Sequence, residues 1–328
     1  MAAKAQACLA SSARCVFGSQ SDTLTLDVPT SDTSRWRAVV RVLRSPMDAL
    51  SCALFPASCC ACGNPLLRFT LSPVCDSCWN MLPVQGGTLC RICGEDLGIA
   101  TFSTGNPRPE EDCVCRVCRM DPPPFRRAVA HGAYQGTLRT LIHSLKYERI
   151  TPVSNGLGHL LASAMAQLAA ETPSEMLVVP VPLHRSKRRT RGYNQAELLT
   201  QAALKVLRRT HPEWKLRLAS EVLVRSRRTA TQFELSARQR RDNVRGVFSV
   251  PEPRAVAGRD ILLVDDIYTT GATARACSKT LLKAGAASVW VATLARAQRE
   301  GVAFWDPKFG KTAVSHTNVR EMASSPGS

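Results

Sequence analysis

The stretch Ile261-Leu262-Leu263-Val264-Asp265-Asp266-Ile267-Tyr268-Thr269-Thr270-Gly271-Ala272-Thr273 has three parts with different jobs. Ile261 to Val264 is a continuous apolar run, as expected of a parallel strand buried on both faces. Asp265 and Asp266 fall where that strand is expected to end. In open α/β sheets this carboxyl edge is where ligands bind. Thr269, Thr270, Gly271, Ala272 and Thr273 form a small, hydroxyl-rich turn opening a helix that contains Leu281 and Leu282. Free N–H groups at a helix N-terminus, with Thr hydroxyls beside them, suit a phosphate. Two adjacent carboxylates next to such a cradle suit vicinal hydroxyls. A ribose 5-phosphate carries both. The competing reading is an ordinary capped helix following two solvated Asp residues.

The chain has 328 residues, enough for two domains or for one domain with appendages. Its 14 cysteines are uneven: all but Cys277 lie before residue 119, most in C-x-x-C pairs. In a reducing compartment such pairs read as metal or redox sites rather than disulfides. Residues 1–30 have no apolar core of signal-peptide length, and no run approaches a membrane span. A cytoplasmic location is the expectation. The formal charge of +17 is also uneven. Residues 122–328 carry 32 Lys/Arg against 15 Asp/Glu, so the basic excess lies there and favours a polyanion.

Residues 1–45 are expected to be a disordered or weakly helical extension. Trp36, Val39, Val40 and Leu43 fall near helical spacing among arginines, and Met47 is an alternative start. Residues 46–121 hold four knuckles: Cys59/Cys62, Cys75/Cys78, Cys90/Cys93 and Cys115/Cys118. Gly63 and Gly94 each follow a knuckle, where a tight turn aims backbone N–H groups at thiolates. Four thiolates per ion are a closed shell for structural zinc, so two Zn²⁺ and a double zinc ribbon are expected. Cys113 is the alternative to Cys115 as a ligand. A thioredoxin-like pair is the weaker rival, since there are four pairs rather than one.

Residues 122–300 are read as the α/β domain and 301–328 as an irregular tail. Strands are expected at 128–134, 176–181 and 288–294, and helices at 136–147, 156–170 and 194–208. Gly156-x-Gly158 is not a dinucleotide fingerprint, because position 161 is Leu. His143 is read as a packed surface residue rather than a ligand. The run from Leu183 to Gln195 places Arg185 and further basic residues at the end of a strand, as a second anion site. Residues 225–248 carry seven arginines and read as a lid closing over a phosphorylated ligand. A single-strand nucleic-acid groove is the rival there, though only Phe233 and Phe248 offer stacking faces. Gly310-Lys311-Thr312 is rejected as a P-loop, since position 305 is Trp.

In this order the pieces resemble the ComF family of competence-associated proteins. The likeness covers residues 50–296. It rests on the paired knuckles, Pro123-Pro124-Phe125, Leu145-Lys146-Tyr147 and Val179-Pro180-Val181-Pro182-Leu183-His184-Arg185. It continues through Arg191-Gly192-Tyr193-Asn194-Gln195, Thr229-x-x-Gln232-x-x-Leu235-Ser236 and the 261–273 stretch, which is similar to the phosphoribosyl-pyrophosphate (PRPP) motif of type I phosphoribosyltransferases. The resemblance implies a type I phosphoribosyltransferase-like parallel sheet flanked by helices, behind an N-terminal double zinc ribbon. It implies PRPP as ligand, with Mg²⁺, and a part in DNA uptake and natural transformation. Single-stranded DNA and DNA-uptake proteins are the further candidate partners. On this reading Thr269 to Thr273 hold the 5-phosphate and Asp265 and Asp266 hold the ribose hydroxyls. Arg185 and Lys146 neutralise pyrophosphate. Asp265 or Asp266 would also steady positive charge developing at C1 if phosphoribose is transferred. No residue stands out as the binder of an acceptor, so a non-catalytic PRPP sensor or DNA-handling adaptor is the other expectation.

Overall fold

The computed structural model describes residues 57–66, 72–97, 113–225 and 246–298, with the backbone of 305–306 and 310–311. The expected extension over 1–45, most of the lid (226–245) and most of the tail lie outside the described residues. The chain divides into a unit of residues 1–50 and a unit of residues 51–328. Everything that follows concerns the second unit.

Its centre is a five-stranded, all-parallel sheet. The strands are β1 (Ala128–Ala133), β2 (Glu175–Pro180), β3 (Lys215–Leu218), β4 (Asp260–Tyr268) and β5 (Ser288–Arg296), in the order β1-β5-β4-β2-β3. The motif strand β4 is therefore central. Parallel strands need both faces covered, and alternate residues of β4 face different layers. Leu262 and Val264 pack with α3 (Gly136–His143), α4 (Val153–Ala166) and α6 (Gln195–Thr210), through residues such as Leu141, Leu161 and Leu199. Ile261 and Leu263 pack with α7 (Ala272–Lys283), through Cys277 and Leu281. Each such fully buried aliphatic side chain contributes about 1.5–3 kcal/mol. The expected parallel sheet flanked by helices is thus what the chain forms.

Three local details differ from expectation. Strand β4 does not end at the carboxylates but runs on to Tyr268, because β5 keeps pairing with it: Asp265 faces Thr293 and Tyr268 faces Arg296. On its other side, β2 stops pairing at Val264, opposite Pro180. The carboxylates therefore sit where one neighbouring strand has left the sheet. The helix expected over 136–147 changes at Ser144 into a five-residue π-turn, Ser144–Glu148. It closes on Arg149, whose φ of 58° is left-handed. Finally, the basic run 183–191 is helical in part: α5 (Arg185–Arg191) is capped by the His184 imidazole, which accepts from Ser186 N at 3.2 Å.

The cysteine-rich segment carries two short helices, α1 (Asp76–Asn80) and α2 (Arg116–Met120). It packs directly on the α/β layer. A Cβ on Gly156 of α4 would meet the Trp79 indole from α1, and one on Gly158 would meet Ala202 of α6. Close packing thus accounts for the two glycines. Gly132 of β1 lies against the Pro83 carbonyl, and Gly94 lies against the Ala128 carbonyl.

Candidate functional site

Lys146, Asp265 and Asp266 converge at the carboxyl end of β4. Lys146 Nζ lies 2.9 Å from Asp266 Oδ2, with both side chains largely buried. The π-turn accounts for the reach of Lys146. Leu145 is buried beneath it, while Tyr147, the next residue, is 60% exposed. Extra-wide turns of this kind recur at functional sites. The turn is fixed to the 183–195 run: the Tyr193 hydroxyl donates to the Leu145 carbonyl, and Arg149 donates to the Thr190 carbonyl at 2.5 Å. Asn194 holds the same run to the sheet, donating to the Val181 carbonyl at 3.1 Å and capping α6 by accepting from Ala196 N.

The electrostatics follow from crowding two acids in a buried place. Burial, then the neighbouring Asp266 carboxylate, push Asp265 up to about 7. Its Oδ1 accepts from Asp266 N at 2.9 Å. Burial works against the Lys146 ammonium, but Asp266 and then Asp265 outweigh it and raise its pKa. Burial likewise depresses Arg225, which feels the opposing pull of Cys277 and Asp265. The first arginine of the expected lid therefore feels Asp265. Its guanidinium sits 5.5 Å from the Phe248 ring centre.

Thr269 to Thr273 make the turn from β4 into α7. Gly271 is the N-cap with φ 76°, and a Cβ there would overlap the Tyr268 ring and hydroxyl, so only glycine fits. Thr270 Oγ1 accepts from Ala272 N at 3.4 Å. Thr269, Thr270 and Thr273 are part-exposed. Arg185 lines an open cavity of about 410 Å³ with Arg188, Arg189 and Gly192. So the structure brings Lys146 to the acids, while no hydrogen bond or ion pair joins Arg185 to them among the described residues. His143 is exposed, as expected, and its ring lies 4.5 Å from Tyr147.

Both cysteine tetrads assemble as the spacing predicts. Cys59, Cys62, Cys75 and Cys78 bring their sulfurs within 4.8 Å of one another, and so do Cys90, Cys93, Cys115 and Cys118. Cys115, rather than Cys113, completes the second group. Backbone N–H groups point at the sulfurs: Cys75 N to Cys59 Sγ at 3.3 Å and Cys115 N to Cys90 Sγ at 3.3 Å. Burial opposes the Cys59 thiolate, but N–H donors from Cys75, Ala61 and Cys62 outweigh it and lower its pKa to about 6. Four sulfurs on a tetrahedral scale with prearranged donors fit Zn²⁺, with no position left open for chemistry.

Sequence reasoning missed Arg296, Glu95 and Tyr268. Arg296 ends β5, is 2% exposed, and donates to Glu95 and to Cys93 Sγ at 3.5 Å. Its guanidinium lies 4.4 Å from the Tyr268 ring centre. The available signal was a charge closing the apolar strand Ser288–Arg296.

No family model matches the chain. The DNA utilization protein YhgH of Escherichia coli O157:H7 is 33% identical over 234 residues, covering 69% of this chain and 98% of that protein. Competence protein F of Haemophilus influenzae is 30% identical over 247 residues, covering 74% and 98%. Among solved structures, a hypoxanthine phosphoribosyltransferase from Staphylococcus aureus overlaps with a TM-score of 0.29 at 15% identity, covering 44% of this chain and 64% of that one.

Proposed function

The chain belongs to the ComF family of competence-associated proteins, and from that premise we propose that it binds PRPP at the carboxyl end of β4. The observation that carries this reading is the cluster of part-buried Asp265 and Lys146 with buried Asp266 beside a glycine-capped helix N-terminus. Asp265 and Asp266 accept from the two ribose hydroxyls. The N–H groups of residues 270–273 and the Thr hydroxyls take the 5-phosphate. Lys146, already charged and held by Asp266, turns toward the pyrophosphate, and Arg185 closes on it from the neighbouring basic run. The two carboxylates are hard oxygen donors that fit Mg²⁺, which would neutralise the pyrophosphate as it leaves.

On this reading the chain supplies the donor half of a phosphoribosyl transfer. Bond breaking at C1 builds positive charge on the sugar, and the ionised carboxylates beside it lower that cost. A PRPP titration by calorimetry, followed by an acceptor screen for pyrophosphate release, tests both halves. Tight binding with release by one acceptor makes the protein a transferase. Tight binding with none makes it a PRPP sensor. Unchanged affinity in the double variant Asp265→Ala, Asp266→Ala removes the site.

A second reading, a single-stranded nucleic-acid surface, is favoured by one observation. Tyr147 is exposed, with the His143 ring tilted against it at 4.5 Å and the Arg191 guanidinium 5.4 Å from its ring centre. The arginine-lined cavity belongs to the same run as Arg191. An exposed ring beside a guanidinium suits an unpaired base with its phosphate.

A further inference from the structure

A buried arginine joins the second cysteine tetrad to the phosphate turn. All four of Cys90, Cys93, Cys115 and Cys118 are buried, whereas Cys62 of the first tetrad is exposed. Four thiolates around one Zn²⁺ carry a net formal charge of about −2. A buried anion of this kind needs a counter-charge, because removing one partner of a buried pair is costly. Arg296 is placed to supply it: Nη2 reaches both Cys93 Sγ and Glu95. Nε and Nη1 find no hydrogen-bond acceptor among the described residues, so charge more than hydrogen bonding holds the group. The other face of the guanidinium covers the Tyr268 ring at 4.4 Å. That ring fills the space where a Gly271 side chain would stand. Phe125 closes the ring's surroundings edge-on at 6.3 Å.

We propose that Arg296 is a positioning residue that couples zinc in the Cys90/Cys93/Cys115/Cys118 site to the shape of the 269–273 turn, and so to phosphate binding. Zinc and Glu95 hold the guanidinium, the guanidinium holds Tyr268, and Tyr268 holds Gly271 in its left-handed conformation. The first tetrad neighbours Trp79, which docks on α4, and among the described residues no hydrogen bond joins it to Arg296 or Tyr268. The coupling rests on the PRPP reading only for its ligand consequence.

The test uses the full zinc-loaded chain and reads metal content, amide hydrogen exchange and PRPP affinity. In Arg296→Met, amides of residues 270–273 exchange about tenfold faster and PRPP binds about tenfold more weakly. Arg296→Lys, which keeps the cation, recovers most of both. Tyr268→Leu loosens the same amides while two zinc ions remain, and it carries the test if Arg296→Met does not fold. Cys62→Ser loses one zinc ion and leaves those amides unchanged. Unaltered exchange in Arg296→Met and Tyr268→Leu overturns the coupling. Equal loosening by Cys62→Ser overturns its assignment to the second tetrad. Faster exchange in a protein whose parent chain binds no PRPP upholds the coupling and removes the ligand reading instead.

Discussion

Asp265 is held in its protonated form more firmly than an ordinary carboxyl, and that has consequences of definite sign. Its folded pKa of about 7 lies above the unfolded value of about 3.9. Between these values the folded chain binds more protons than the unfolded one, so stability falls as pH rises through that window. Asp265→Asn removes the effect. Thermal melts of the ligand-free protein are expected to show parent and variant converging near pH 4, with the parent losing ground by pH 7 and above. Parallel curves would contradict a raised Asp265. PRPP affinity runs the other way, rising as pH passes about 7, because the ribose hydroxyls need an ionised acceptor. Lys146 gives a second expectation. Lys146→Met leaves Asp266 buried without its cation, which costs about 3 kcal/mol of stability, read from urea midpoints. Both acids were legible from the linear pattern, since an acidic pair after an apolar run has few uses. The contact between Lys146 and Asp266 was not, because it depends on an extra residue in one helical turn.

Helix α4 shows how docking overrides propensity. Ala is ordinarily about 1 kcal/mol better than Gly inside a helix. At Gly156 a Cβ would come within 2.5 Å of the Trp79 ring. Gly156→Ala is therefore expected to destabilise by about 1–3 kcal/mol rather than stabilise, and Trp79→Ala in the same chain should relieve most of that clash. Chemical unfolding of the two single variants and the double variant checks this; a stabilised Gly156→Ala would show that Trp79 does not seat there. Periodicity alone found α4, α6 and the central strands, because each buries one regular stripe or run. It could not find the end of β4, which is set by how far β5 continues beside it. Nor could it see the π-turn at Ser144–Glu148, whose apolar spacing through Leu145 looks like ordinary helix.

The cysteine-rich segment and the α/β layer share one compact unit, so metal should matter to all of it. Metal analysis is expected to find about two zinc ions per chain, and chelation should lower the melting temperature of the whole unit in one transition. Release of zinc with an unchanged melt would mean that the tetrads are not structural. The basic half of the molecule gives the other expectation. Binding to single-stranded DNA should weaken steeply as salt rises, and Tyr147→Ala should cost about 1–3 kcal/mol of affinity while leaving PRPP binding intact. Salt-insensitive binding, or a silent Tyr147→Ala, counts against the stacking surface. No helix among the described residues is long and apolar enough to cross a membrane.

Local chemistry was already determined by the order of residues. Four C-x-x-C pairs bring eight cysteine sulfurs into two groups, an apolar run followed by two acids makes a buried strand with the acids toward its carboxyl end, and Thr-Gly-x-Thr opens a helix. Each knuckle, strand end and turn acts over a few residues, where spacing dictates geometry. Tertiary structure alone decided the long-range partners. It paired Lys146 with Asp266, and placed Arg296 between the second tetrad and Tyr268. The Lys146–Asp266 and Arg296–Cys93 contacts join residues more than a hundred positions apart, and only the stacking of parallel strands and the docking of the cysteine-rich segment bring them into reach.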